Sequence, residues 1–380
     1  MDTHKRRLIK ASAAAGLAAA CAPLRMAWGA PAAGGKPLVV VGQSIPLTGA
    51  ASEIGLPYAG GAKLFFDVYK QRPDTPVRIE VRQLDDGYDA DRAAANAQKL
   101  LAEGAELLFG FMGTASSVAG AAVARQKGVV FLAPFAAPDV LRESAHSHVF
   151  LVRPSMADEA FKMVQHCATL GHTRIAVLGE EGAMGRAGLE AVNRAISELK
   201  LPMLAAVVFV PASSTEVDAA VATIKAVQPQ AIIQAALFQS SAAFIQKMRK
   251  AGYAGSFLNF SPVGIGPLYT TLGKDIGGVV VSQVVPSPRN KTLPIVREYL
   301  AAIENSDETP SYESLEGFIA AKTLAEALRR GGRGADLQKT LTSMKPYDVG
   351  GLRLDLRSKP RETPAAIDLV SITADGRMVR

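Results

Sequence analysis

Cysteine is nearly absent: 380 residues contain two, Cys21 and Cys167. A small secreted scaffold held by disulfides would carry more, and a chain this long buries enough core to do without them. Aromatic residues make up only 6% of the chain, against 34 glycines and plentiful alanine, which favours small-residue helices packed on sheets. No basic stripe interleaved with aromatics is present, so nucleic acid is not an expected partner. The formal charge of +7 does not reverse this. Lys5, Arg6, Arg7, Lys10 and Arg25 against Asp2 put +4 of it in the first thirty residues and leave about +3 for the rest.

The parts of an enzyme are missing as well. No G-x-S-x-G elbow occurs, and the S-x-x-K of Ser197 and Lys200 falls at a helix end where both side chains are expected at the surface. Asp85 and Asp86 are adjacent on a strand end and point to opposite faces, a poor geometry for shared acid and base work. His166, Cys167 and His172 would need a fold-back to converge, and His146 with His148 lacks a third ligand. Gly179, Gly182, Gly185 and Gly188 recur every third residue, which is not the dinucleotide fingerprint and reads as a plain loop. No catalytic residue, metal or cofactor is expected.

The first thirty residues form an export signal. "HKRRLIK" is a basic head, "ASAAAGLAAACAPL" an apolar run too short to span a bilayer, and "AWGAPAAGG" a small-residue stretch suited to cleavage. The alternative, an amphipathic first helix, lacks a polar face. Arg6 and Arg7 fit loosely a twin-arginine route, and Cys21 lies near where a lipoprotein would carry its acylated cysteine. An unmodified signal cysteine is the expectation, leaving Cys167 alone in the mature chain.

Beyond residue 36 the hydrophobic punctuation is regular. "PLVVVG", "RIEVRQL", "ELLFGF" and "GVVFLA" read as short strands separated by helix-period stretches such as "ADRAAANAQKLLAEG", with Asp89 as the cap of that helix. After "HVFLVRPS" the pattern restarts with "TRIAVLG", "MLAAVVFV", "QAIIQAAL" and "SFLNFS". Two successive βα arrays predict an α/β fold of two doubly wound parallel sheets. A third block follows: the strand "GVVVSQVVPSP", two helical runs, and weak strands "GGLRLDLR" and "AAIDLVSIT". No low-complexity linker divides the halves, so strands crossing between lobes are expected to join them.

"LLFGFMGTASS" sends a buried strand into Gly, Thr and Ser without a charged side chain. Ligands of parallel sheets bind beyond the carboxyl ends of strands, where helices begin with free N–H groups and a positive dipole end. A carboxylate fits such an end. Thr114, Ala115 and Ser116 would contact it; the competing reading makes Thr114 only a helix cap. The loop "PLTGAASEIG" puts Ser52 and Glu53 either at the same mouth or in a solvated turn. "APFAAPDV" offers Phe135 as a wall and Ala136 as a backbone contact, and "GEEGAMG" offers Met184 as a soft apolar one.

These stretches, with "GQSIPLTGAASEIGLPYAGGAKLFFD", "LDDGYDADRAAANAQKLL", "LGHTRIAVLGEEGAMGRAGLEAV" and "SLEGFIAAKTLAEAL", resemble in order and spacing the exported solute-binding proteins of ABC importers. The resemblance is to the branched-chain amino-acid (leucine/isoleucine/valine-binding) type with the class I periplasmic binding fold, and it runs over nearly all of residues 37 to 375. It implies two lobes joined by three crossovers, taken as 36–153 with 285–350 and 154–284 with 351–380. It also implies a periplasmic location, a small-molecule ligand in the cleft, an ABC permease as partner, and a monomer. A sensor that hands occupancy to a signalling partner is the alternative function. The family position matching Thr114 is a hydroxyl residue holding the ligand's carboxylate, and that of Ala136 a carbonyl facing the ligand's amine.

The departures from the family matter too. Leu237 stands where such proteins carry a tyrosine, and Ser261 where they carry the glutamate that pairs with the ligand's ammonium. Losing that charge-assisted bond costs about 1.5 to 3 kcal/mol unless Glu53 or Asp139 substitutes. Tyr88 and Gly113 replace the family's small disulfide. With Phe135, Met184, Phe238 and Phe260 as apolar walls, the expected ligand is a carboxylate with an apolar or aromatic body, and leucine is expected to bind weakly.

Overall fold

The run LVVVGQSI is apolar on both sides of its pleat at the start, and it forms β1 (Leu38–Ile45), buried along nearly its whole length. A computed structural model of the chain describes residues 35–136, 138–356, 367–374 and 377–379. The proposed export signal, with Cys21, lies outside these described residues. After β1 come α1 (Ser52–Gln71), β2 (Arg78–Asp85), α2 (Ala90–Ala102), β3 (Leu107–Phe109), α3 (Thr114–Lys127), β4 (Phe131–Leu132) and β5 (Val149–Phe150). The five strands form one parallel sheet in the order β2-β1-β3-β4-β5. β2 is an edge strand, which accounts for its alternating, partly exposed sequence, whereas β3 and β4 are buried throughout.

A capping box starts the crossing to the second sheet. Ser155 Oγ accepts from the Asp158 N–H, and the Asp158 carboxylate accepts from the Ser155 N–H, opening α4 (Met156–Thr169). The chain then runs through β6 (Ile175–Glu180), α5 (Ala183–Glu198), β7 (Ala206–Val210), α6 (Asp218–Ala226), β8 (Ala231–Ala235), α7 (Phe238–Lys250), β9 (Ser256–Asn259), α8 (Ile265–Leu272) and β10 (Val279–Gln283). It leaves this sheet for α9 (Pro294–Ile303), α10 (Tyr312–Arg329), α11 (Ala335–Ser343) and the antiparallel pair β11 (Tyr347–Asp348) and β12 (Arg353–Leu354). It returns as β13 (Asp368–Ile372) and β14 (Met378–Val379).

The second sheet has the order β14-β13-β10-β9-β8-β6-β7. Its parallel core runs from β6 to β10, while β13 and β14 add antiparallel to one edge. The chain thus passes between the sheets three times: before α4, after β10, and between β12 and β13. The last block divides: β13 extends the second sheet, and β12 pairs with β11.

The lobe of the first sheet is closed by α10 lying on α1. Backbones touch there: a Cβ at Gly61 would lie 1.8 Å from the Ser314 carbonyl oxygen, and one at Gly317 would lie 2.0 Å from that of Tyr58. Around this crossing Phe65 packs edge-on to Phe318, with ring centroids 5.2 Å apart. Tyr58, fully buried, donates to the carbonyl of Ala133 at 2.6 Å and ties α1 to the end of β4.

Candidate functional site

The C-terminal ends of both parallel sheets open on one pocket between them. On the first side β3 runs through Phe111 and Met112 to Gly113, which caps α3 with φ of 97° and offers no side-chain bond. Only glycine suits that position, since a Cβ would also lie 2.5 Å from the ring of Tyr88. The Tyr88 ring therefore lies directly on the Gly113 backbone. Thr114 is the first residue of α3 rather than its cap, is 6% exposed, and lines the pocket. The first N–H groups of the helix have no partner within it. Tyr88, Phe135 and Ala136 complete this wall.

Met156, Glu159, Met184, Leu237 and Pro262 form the opposite wall. Between the two stands Arg153, in the first crossover, with its backbone carbonyl held by Arg142 at 2.5 Å. Its guanidinium lies 4.4 Å from the centroid of the Phe135 ring, its Nη2 donates to Ser261 Oγ at 2.5 Å, and its Nε is 3.3 Å from Glu316 of α10. Glu159, one residue past the capping box, accepts at Oε2 from the Ser261 N–H at 2.8 Å and from Ser282 Oγ at 2.5 Å. Burial pushes the Glu316 carboxyl up to about 7; Arg153 opposes this, and Glu159 and Glu313 add to it. Arg153 and Glu159 were not singled out from the sequence. The available signal was an arginine inside the apolar run "VFLVRPS", followed at once by a capping box with a second acid.

The other expected residues are placed as follows. Ser261 sits 6% exposed between Arg153 and Glu159 rather than on the pocket wall. Glu53 is exposed in the first turn of α1, and Ser52 Oγ donates to the Gly49 carbonyl at 2.6 Å, so neither reaches the pocket. The reason is Asp85, which holds the preceding loop: Thr48 Oγ1 and the N–H groups of Leu47, Thr48 and Gly87 donate to it. Burial raises the Asp85 carboxyl, but these bonds outweigh it and keep the group well below the usual carboxylate range. Ser116 is buried away from the pocket and Ala115 is exposed. Phe238 and Phe260 pack into the second lobe, and Asp139 is taken by Arg194 at 2.9 Å.

That ion pair is one of several contacts joining the lobes. Tyr88 Oη reaches Met184 Sδ at 3.9 Å, and Gln239 donates to the Ala50 carbonyl at 3.1 Å. The pocket walls leave about 10 Å³ free, room for one water. A wider hollow of about 290 Å³ opens beside α1 and α10, but Arg72, Lys322 and Glu326 on its rim are paired with Glu298, Arg329 and Arg330. Cys167 is fully buried, and burial pushes its thiol up to about 12, which leaves it unreactive. Among the described residues no three His, Cys, Asp or Glu side chains gather to hold a metal.

A search of curated proteins finds no match. Among solved structures, a possible leucine/isoleucine/valine-binding protein from Rhodopirellula baltica SH 1 superposes with a TM-score of 0.83 at 25% identity, over 91% of this chain and 97% of that one. A substrate-binding periplasmic protein from Ralstonia solanacearum gives 0.81 at 27% identity, over 90% and 99%. A branched-chain amino-acid ABC transporter protein from Thermus thermophilus with bound valine gives 0.76 at 16% identity, over 91% and 95%, a likeness of fold. The periplasmic binding protein family model matches residues 39–377. With two parallel-sheet lobes, three crossovers and a pocket at their facing strand ends, the chain belongs to the periplasmic binding protein family.

Proposed function

We propose that this protein is the extracytoplasmic solute-binding component of an ABC importer, and that its two lobes close on a small organic acid and deliver it to a membrane permease. The lobes are 36–153 with 285–350 and 154–284 with 351–380, following an export signal of residues 1–30 whose Arg6-Arg7 pair suits the twin-arginine route. The observation that carries this reading is the pocket itself, where the uncapped N-terminus of α3 faces a mainly apolar wall of Met156, Met184, Leu237 and Pro262, with Glu159 among them, across the lobe boundary. Thr114 and the α3 N–H groups take a carboxylate, Ala136 lends backbone polarity, and Phe135, Met184 and Leu237 take the apolar body. The small free volume means that a ligand enters with the lobes apart and is enclosed as they meet. The protein acts as a monomer and performs no chemistry.

A thermal-shift screen of carboxylates, amino acids and amides tests the reading. A binder stabilises the folded chain by RT ln(1 + [L]/Kd), about 2.7 kcal/mol at one hundred times Kd. Shifts by one set of acids support it; turnover of a ligand by the purified protein contradicts it. Loss of uptake on deleting the gene, with a permease encoded beside it, separates transport from the alternative of a sensor feeding a signalling partner.

A further inference from the structure

Arg153 is a cation the proposed function leaves unused. Its side chain is 1% exposed and remains charged, since a guanidinium does not give up its proton in a protein. Of its donors, Nη2 is used by Ser261, whereas Nη1 is buried with no hydrogen-bond partner, and Nε faces Glu316 without forming a hydrogen bond. Buried donors are almost always satisfied, and one left open in a pocket wall marks a place for an acceptor from outside the chain. The guanidinium plane is fixed by the Phe135 ring beneath it and by Glu316 at its edge, so it is held ready rather than free to fold away. The N-terminus of α3 supplies a second set of donors in the same pocket. Glu159, the pocket's own carboxylate, already accepts two hydrogen bonds at Oε2.

We propose that Arg153 is the specificity-determining cation of the cleft: its open Nη1 takes an oxygen of an anionic ligand, so the protein accepts organic acids and rejects compounds with an ammonium beside the carboxylate. This rests on the carboxylate reading above and deepens it. Ser261 accepts from Arg153 and its N–H holds Glu159, so this position serves as a mount for the guanidinium. An ammonium in so small a pocket would meet a fixed like charge.

The test uses the full chain with benzoate, benzamide, 4-methylpentanoate, 4-methylpentanamide and leucine, titrated by calorimetry. Arg153→Gln alone leaves Glu316 buried without a counter-ion and can fail to fold, so the informative pair is Glu316→Gln and the double variant Arg153→Gln/Glu316→Gln. Glu316→Gln should still prefer each acid over its amide. The double variant, if it keeps a cooperative melt, should lose at least tenfold in acid affinity and lose the acid-over-amide preference. Equal acid selectivity in the two variants overturns the role of Arg153 while leaving the carboxylate reading intact; so does, where the double variant fails to fold, an Arg153→Met/Glu316→Met variant whose selectivity matches wild type. A wild-type chain that binds leucine or the amides and none of the acids overturns both.

Discussion

Thr114 stands at the start of α3 in the pocket lining and has no capping duty, because Gly113 occupies the cap position. Thr114→Val keeps the side chain's shape and removes a donor, so acid affinity should fall about tenfold while stability changes little; unchanged affinity by calorimetry would return the residue to a packing role. Glu316 makes a different kind of prediction. A carboxyl whose pKa rises from 4.5 to about 7 on folding holds its proton more tightly in the folded state. Its contribution is full below about pH 4.5 and lost as the pH passes 7. Between those limits wild type should lose about 3 kcal/mol relative to Glu316→Gln in denaturant unfolding; a pH-independent difference would contradict it. Thr114, Phe135 and Ala136 were legible as lining residues, because ligands of parallel sheets sit beyond strand ends such as "FMGTASS" and "APFAAPDV". Arg153 and Glu159 were not. Their roles depend on three-dimensional partners, Phe135, Ser261 and Ser282, that lie far away in sequence.

Among the elements, the crossing of α1 and α10 gives the sharpest local test, since two adjacent glycines of α1 meet different neighbours. A Cβ at Gly61 strikes the Ser314 backbone at 1.8 Å, while one at Gly60 meets only the movable carboxylate end of Glu308 at 2.0 Å. Gly61→Ala should cost about 3 kcal/mol or more through overpacking. Gly60→Ala should be near neutral or stabilise by up to about 1 kcal/mol through helix propensity. Denaturant midpoints that move equally would show that the helices are not in backbone contact. The alternation of strands and helices up to β10 was legible because fully buried parallel strands are short apolar runs between helical periods. The ends were less so. β12 and β13 look alike as weak alternating strands, yet one pairs with β11 and the other extends the second sheet antiparallel. Composition does not encode which edge a weak strand meets.

For the whole molecule, the lobes are held in contact by the buried Arg153–Ser261 bond and by weaker interactions: a partly exposed ion pair between Arg194 and Asp139, one side-chain bond from Gln239, and the Tyr88–Met184 contact. Exposed pairs of this kind contribute about 1 kcal/mol or less each, which suits lobes that separate and rejoin around a ligand. The central claim is that the enclosed pocket reads an acid and not an amino acid. It is tested most directly by calorimetric titration of the full chain with leucine and with 4-methylpentanoate, which differ only in the ammonium. The account predicts that 4-methylpentanoate binds at least tenfold more tightly than leucine; submicromolar leucine binding with the des-amino acid much weaker would contradict it and assign the ammonium to a carboxylate such as Glu159.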